Sequence, residues 1–207
     1  MLGSVPMVII VQPSLPARSL AELVALSKSR PRGVTIGTSG IGGANHLPLE
    51  LFKAETGANL VHVPYRGGGA TLPDFLAGNV EGILIELPSV LDFHRDGRGR
   101  ILGIAAAERS AQAPDVPTFS EAGFRGFLAA SFVALFAPAG TPAPIIARLQ
   151  AAMGEAAADP DIRAKLASFG ADPPTPAELT TPHLVGFLQG ELAKARRAIE
   201  AAGLQPE

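Results

Sequence analysis

The chain has 207 residues, 47% of them hydrophobic and 5% aromatic, with a formal charge of −2. That length suits one domain or two small lobes and buries a core without staples, and a pI near 6.1 excludes the basic footprint of a nucleic-acid binder. The absence of cysteine removes disulfides, thiol nucleophiles and cysteine metal sites, and no run of about eighteen apolar residues offers a transmembrane helix.

The first element is VPMVIIVQ (5–12), a β-branched run closed by Pro13 and Pro16, which reads as a buried strand. With no basic segment ahead of it and Pro6 within it, a signal peptide is the weaker reading. Ser19 and Glu22 form a capping box ahead of LAELVALSKS, whose apolar residues recur at helical spacing. VTIGT (34–38) is a strand, and the glycine loop GTSGIGGANH then opens a helix through NHLPLELFKAET with Gly57 as its stop. LVHVP (60–64) is the next strand, followed by a second glycine loop, YRGGG (65–69), and a short helix ending at Gly78.

VEGILIE (80–86) is a strand, PSVLDFHRDG a helix, and RILGIAAA (100–107) a further strand. Strands alternating with helices at this spacing predict βαβ units around a parallel sheet. Residues 108–127 are rich in loop signals, and SFVALFAPAG (131–140) is expected to be one more strand. Three helices follow, the second capped by Asp159 with Pro160 at its first position, and Gly170 and Gly203 stand where C-caps belong. These helices have no strands of their own to cover.

The 37–46 loop does not fit the familiar nucleotide fingerprints. It lacks the lysine of a P-loop, and from Gly40 and Gly42 the third dinucleotide position falls on Asn45. No cofactor is expected. What remains is Thr38, Ser39, Asn45 and several backbone amides at a strand-to-helix turn, which suits a carboxylate or phosphate; a purely steric glycine turn is the alternative. His46 could contact a ligand or hold the loop by hydrogen bonds. His62, His94 and His183 have no metal-ligand spacing, so zinc is unsupported.

YRGGGA adds a second nest of amides with Arg66 as a cation. Two such loops after neighbouring strands would face one cleft at the carboxyl ends of the sheet. Glu81 and Glu86 fall on opposite faces of their strand and cannot act as a carboxylate pair. Ser39 with His46 invites a hydrolase reading but lacks a nucleophile elbow and an identified orienting acid, which makes catalysis the weaker reading.

Four phrases carry a family resemblance: SVPMVIIVQPSLPARSLAEL, GTSGIGGANHLPLELFKAETG, VHVPYRGGGATLPDFLAGNVEGILIELPSVL, and APDVPTFSEAGFRGF with LFAPAGTPAPIIARL. Together they resemble the tripartite tricarboxylate transporter substrate-binding proteins, the TctC-like or Bug receptors, from about Gly3 to the C-terminus. The resemblance implies an α/β, periplasmic-binding-protein-like fold of the type II flytrap kind with a parallel-rich sheet. Residues 1–112 would be the ligand-binding second lobe; residues 113–207 would be a crossing strand and the C-terminal helices of an incomplete first lobe.

It further implies a periplasmic receptor, not an enzyme, that passes a small carboxylate to membrane transporter subunits. On this chain the implied ligand contacts are Thr38, Ser39, Gly40, Gly42, Gly43, Asn45 and His46, then Pro64, Tyr65, Arg66 and Gly67, with Glu86 near a side-chain position.

Three departures accompany the resemblance. Family members are longer, with a signal peptide and an N-terminal stretch that holds the ligand from the other side. They often have aspartate near Glu86, and often tryptophan where Phe132 lies. The expectation is therefore a chain that starts at the first crossing into lobe two and self-associates through its C-terminal helices. It would be cytoplasmic if Met1 is the natural start. A repurposed interaction or sensor module is the alternative function, and an enzyme using Ser39, His46 or Glu86 a further one.

Overall fold

The computed structural model describes residues 1–168, 170–171 and 173–204. Six strands form one sheet: β1 (Gly3–Val11), β2 (Val34–Thr38), β3 (Leu60–Pro64), β4 (Gly82–Glu86), β5 (Arg100–Ile104) and β6 (Ala130–Val133). The order is β3-β2-β4-β1-β5, with β6 also paired to β1. The helices are α1 (Leu20–Ser29), α2 (His46–Thr56), α3 (Thr71–Ala77), α4 (Leu91–Arg95), α5 (Ala143–Ala158), α6 (Pro160–Ser168) and α7 (Thr181–Ala202). Among the described residues no helix is long and apolar enough to cross a membrane.

The elements around the glycine loops lie where the sequence puts them. Ser19 accepts a hydrogen bond from the Glu22 amide at 3.1 Å and starts α1. Gly57 closes α2 in the left-handed conformation, its N–H bonded to the Lys53 carbonyl. Asp159 caps α6, its Oδ1 accepting from the amides of Asp161 and Ile162 at 2.8 and 3.1 Å.

Other elements differ from the expectation. β1 runs antiparallel to both β4 and β5, so the sheet is mixed; β2 is parallel to β3 and to β4. Every residue of β1 from Pro6 to Val11 is buried, and an apolar run of that kind marks a central strand without encoding its direction. β5 and β6 are shorter than predicted, and 87–95 is a 3₁₀ turn over Leu87–Ser89 followed by the short α4.

The chain divides into two compact units: one holds 1–5 and 131–194, the other 6–130 and 195–207. Residues 113–130, expected with the C-terminal part, therefore belong with the sheet. The reason is burial, since Val116, Phe119, Phe127 and Ala129 all enter the cores that flank it.

In the sheet unit both faces are covered. One core gathers Ile9, Leu20, Leu23, Ile36, Leu49 and Phe52. The other gathers Val8, Ile10, Phe75, Ile83, Ile85 and Ile101. The phenylalanines are the large pieces: Phe119 stacks on Phe127 at 4.7 Å, and Phe52 meets both edge-on at 5.4 and 5.6 Å. Glu81, just before β4, is structural: it pairs with Arg30 and accepts from the Thr35 amide.

The second unit holds α5, α6 and most of α7. Its Phe132 meets Phe187 edge-on at 4.9 Å. It leaves large apolar side chains in solvent, including Val133, Phe136, Ile145, Val185 and Leu192.

Candidate functional site

Because β2, β3 and β4 are parallel, Thr38, Pro64 and Glu86 finish at one edge of the sheet, and Thr38 and Pro64 are direct register partners. The loops 39–45 and 65–67 leave from that edge side by side. The Tyr65 amide donates to the Thr38 carbonyl at 3.0 Å, and the Gly67 amide to the Ser39 carbonyl at 3.1 Å. The two glycine loops are thus bonded into one surface.

Within the first loop, the side chains that looked most available for a ligand are turned inward. Asn45 is buried; its Oδ1 accepts from the Ser39 amide at 2.9 Å and from the Ser39 hydroxyl, and its Nδ2 donates to the Leu84 carbonyl at 2.9 Å. Thr38 is buried with its hydroxyl 2.6 Å from His62 Nε2. His46 is buried, with Nδ1 accepting from the Gly42 amide at 3.0 Å and Nε2 facing Glu50 Oε1 at 3.4 Å. Glu50 is in turn paired with Lys53 at 2.7 Å.

The glycines permit this knitting. Gly40 has φ +127°, which L side chains rarely adopt, and a Cβ on it would lie 2.9 Å from the Tyr65 carbonyl oxygen. A Cβ on Gly43 would lie 2.6 Å from the Ser39 hydroxyl oxygen.

Outward, the first loop presents backbone and the exposed Ile41, with Ser39, Gly40 and Gly43 half-buried and Gly42 exposed. The amides of Ile41, Ala44, Arg66, Gly68 and Gly69 have no acceptor among the described residues. Pro64 and Arg66 are exposed, and Arg66 has no ion-pair partner among the described residues. Tyr65 is anchored away from its loop: its hydroxyl donates to Asp74 at 2.8 Å, and burial followed by that bond pushes its pKa up to about 12. Glu86 is half-buried beside the second loop, with Oε2 3.8 Å from where a Cβ on Gly68 would stand.

On sequence grounds His62 was weighed only with His94 and His183, and set aside because they lack metal-ligand spacing. The structure stacks the two rings, centroids 3.7 Å apart and planes at 17°. Strand alternation held the clue, because His62 shares a face of β3 with the buried Leu60. Burial lowers the pKa of both imidazoles, that of His62 to about 4, with the neighbouring His46 its second cause. Among the described residues, no group of three or more histidines and carboxylates is gathered as a metal site would require.

The profile of the tripartite tricarboxylate transporter family receptor matches residues 1–204. The chain belongs to this receptor family. It is 34% identical to Protein BugT of Bordetella pertussis over 203 residues, covering 98% of this chain and 61% of that protein. A solved R. palustris protein with adipate is 31% identical with a TM-score of 0.84, covering all of this chain and 68% of the other. MatC from Rhodopseudomonas palustris with bound malate is 28% identical with a TM-score of 0.82, covering 95% and 67%. The chain spans 61% and 63% of the lengths of the first two curated relatives that it matches. The family is one of solute-binding receptors, a class that works without catalysis.

Proposed function

We propose that this chain carries the ligand cradle of a periplasmic solute-binding receptor, which takes a small carboxylate and hands it to the membrane subunits of a tripartite tricarboxylate transport system. It does so as a binder and performs no chemistry on its ligand. The observation that carries this reading is the pair of cross-bonded glycine loops at the carboxyl ends of β2 and β3, with unpaired amides and Arg66 beside them. No acidic residue occupies the first turn of α2, so the partial positive charge of that helix start stays available to an anion. The malate and adipate of the solved relatives support the same ligand class.

On this reading Ser39, Gly40, Gly42, Gly43, Tyr65, Arg66 and Gly67 offer backbone and side-chain contacts, while Thr38, Asn45 and His46 hold the loop in shape. Pro64 and Glu86 border it. Residues of the sheet unit form the second lobe of a flytrap, and α5, α6 and most of α7 belong to the first.

A thermal-shift screen with mono-, di- and tricarboxylates tests the reading. A ligand that binds only the native state raises the melting point with concentration, by several degrees at a large excess over its Kd. Arg66→Ala should leave the stability of the unliganded protein within about 0.5 kcal/mol of wild type and cut the ligand-induced shift, and Ser39→Ala should cut that shift too. A folded protein that no acid shifts would sink the proposal.

The exposed apolar side chains of the unit holding 131–194 favour one addition. Its cavity of about 340 Å³ is lined by Leu135, Phe136, Ile146, Met153 and Leu184, and open apolar surface of this kind marks a protein interface. We propose that a second copy of the chain covers it. Size-exclusion chromatography with light scattering at micromolar concentration should give a dimer or larger, and a sharp monomer would overturn this addition.

A further inference from the structure

We infer that His46 and His62 are positioning residues for the first glycine loop, and that uptake of a proton by His46 releases the Gly42 amide and loosens that loop. The bearing of this device on ligand capture rests on the reading above; the loosening itself does not.

The hydrogen bonds dictate the protonation state. His46 Nδ1 accepts the Gly42 N–H at 3.0 Å, so it carries no proton of its own. The hydrogen of the neutral ring is then on Nε2, which faces Glu50 Oε1 at 3.4 Å. A second proton can enter only at Nδ1, where it would meet the Gly42 N–H head-on. Two donors cannot share one line, so His46 becomes cationic only if Gly42 moves away.

The second ring holds the other end of the same loop. His62 Nε2 lies 2.6 Å from the Thr38 hydroxyl oxygen, which also accepts from the Gly40 amide at 3.4 Å. Gly40 and Gly42, both at positive φ, are therefore tied back to two stacked imidazoles, one through Thr38 and one directly.

The charged and titratable surroundings are complete on three sides. From α2 come Glu50 and Lys53, from β3 comes His62, and from β2 only the uncharged Thr38. Glu50 favours a cationic His46, but Lys53 sits 2.7 Å from the same carboxylate oxygen and offsets it. A charge on either ring opposes a charge on the other across 3.7 Å. Burial and this geometry agree in holding both rings neutral at neutral pH.

The test needs no ligand. In ¹H–¹⁵N spectra recorded from pH 7.5 to pH 4.5, the Gly42 amide resonance should shift with the same midpoint as the His46 ring protons, and that midpoint should lie below 6.5, the ordinary histidine value. His46→Gln should remove the titration from Gly42. His62→Gln, which removes the stacked ring but leaves the Gly42–His46 hydrogen bond in place, should keep the Gly42 and His46 midpoints coincident. A Gly42 resonance that stays level while His46 titrates would overturn the inference, as would a His46 midpoint at 6.5. Should either variant fail to fold, the coincidence of the two wild-type midpoints still decides the matter.

Discussion

Replacing Asn45 with leucine should destabilise the protein by about 2–4 kcal/mol and abolish any carboxylate-induced thermal shift. The two side chains are similar in size, so the effect is polar rather than steric. Asn45 is buried and serves three partners: the Ser39 amide, the Ser39 hydroxyl and the Leu84 carbonyl. The register pairs between β2 and β4 stop at Gly37 and Ile83, and the Asn45 side chain takes up the next carbonyl where the ladder has ended. Leucine leaves that carbonyl and the Ser39 N–H without partners, and each buried unpaired group costs about 1–3 kcal/mol. Ile41→Ser, four residues away on a side chain 73% exposed, should stay within about 0.5 kcal/mol of wild type. Urea denaturation of the three proteins checks both statements. Equal midpoints for wild type and Asn45→Leu would mean that the loop is held by something other than this amide.

Stability should also fall as the pH drops from about 6.5 to about 4, a window whose upper part lies above that in which ordinary carboxylates titrate. The folded protein holds His62 neutral, with its pKa lowered to about 4, chiefly by burial and next by His46. The unfolded chain takes up that proton near the ordinary value of about 6.5. Below that point the unfolded state binds more protons, so acid favours unfolding until the folded pKa is reached. His46, also lowered, contributes in the same direction.

Partial exposure screens the effect, which leaves on the order of 1–2 kcal/mol for His62 between about pH 7.5 and pH 5. Carboxylates whose pKa values are lowered by hydrogen bonds, such as Asp115 beside His94 and Glu121 beside Arg109, lose their contributions only in stronger acid. Urea midpoints at the two pH values should therefore separate in wild type and draw together in His62→Gln. An identical pH dependence in the two proteins would assign the loss to other groups.

Much of the architecture was legible in the chain. VTIGT, LVHVP and HLPLELFKAET became β2, β3 and α2 with the expected limits, because β-branched runs, helical spacing and a terminal glycine are local signals. The family phrases pointed to the receptor family that the profile and the relatives support. The direction of β1 was not legible. Its partners are distant in sequence, with Ile9 opposite Leu84, and an apolar run packs equally well either way. That residues 113–130 group with the sheet unit was not legible for the same reason: Phe119 and Phe127 reveal their core only where it exists in space.

For the proposed site, the sequence by itself determined that two glycine loops follow two strands. Glycines, hydroxyls and amides clustered after two adjacent strands are a local pattern with a local meaning. Only the tertiary structure decided how the labour is divided among them. Thr38, Asn45 and His46 point into the protein because partners on β3, β4 and α2 wait there, while backbone amides and Arg66 remain outside. His62 came to lie against His46 only when β3 lay beside β2, because the stacking of two rings depends on distance in space, and the two stand sixteen positions apart in the chain.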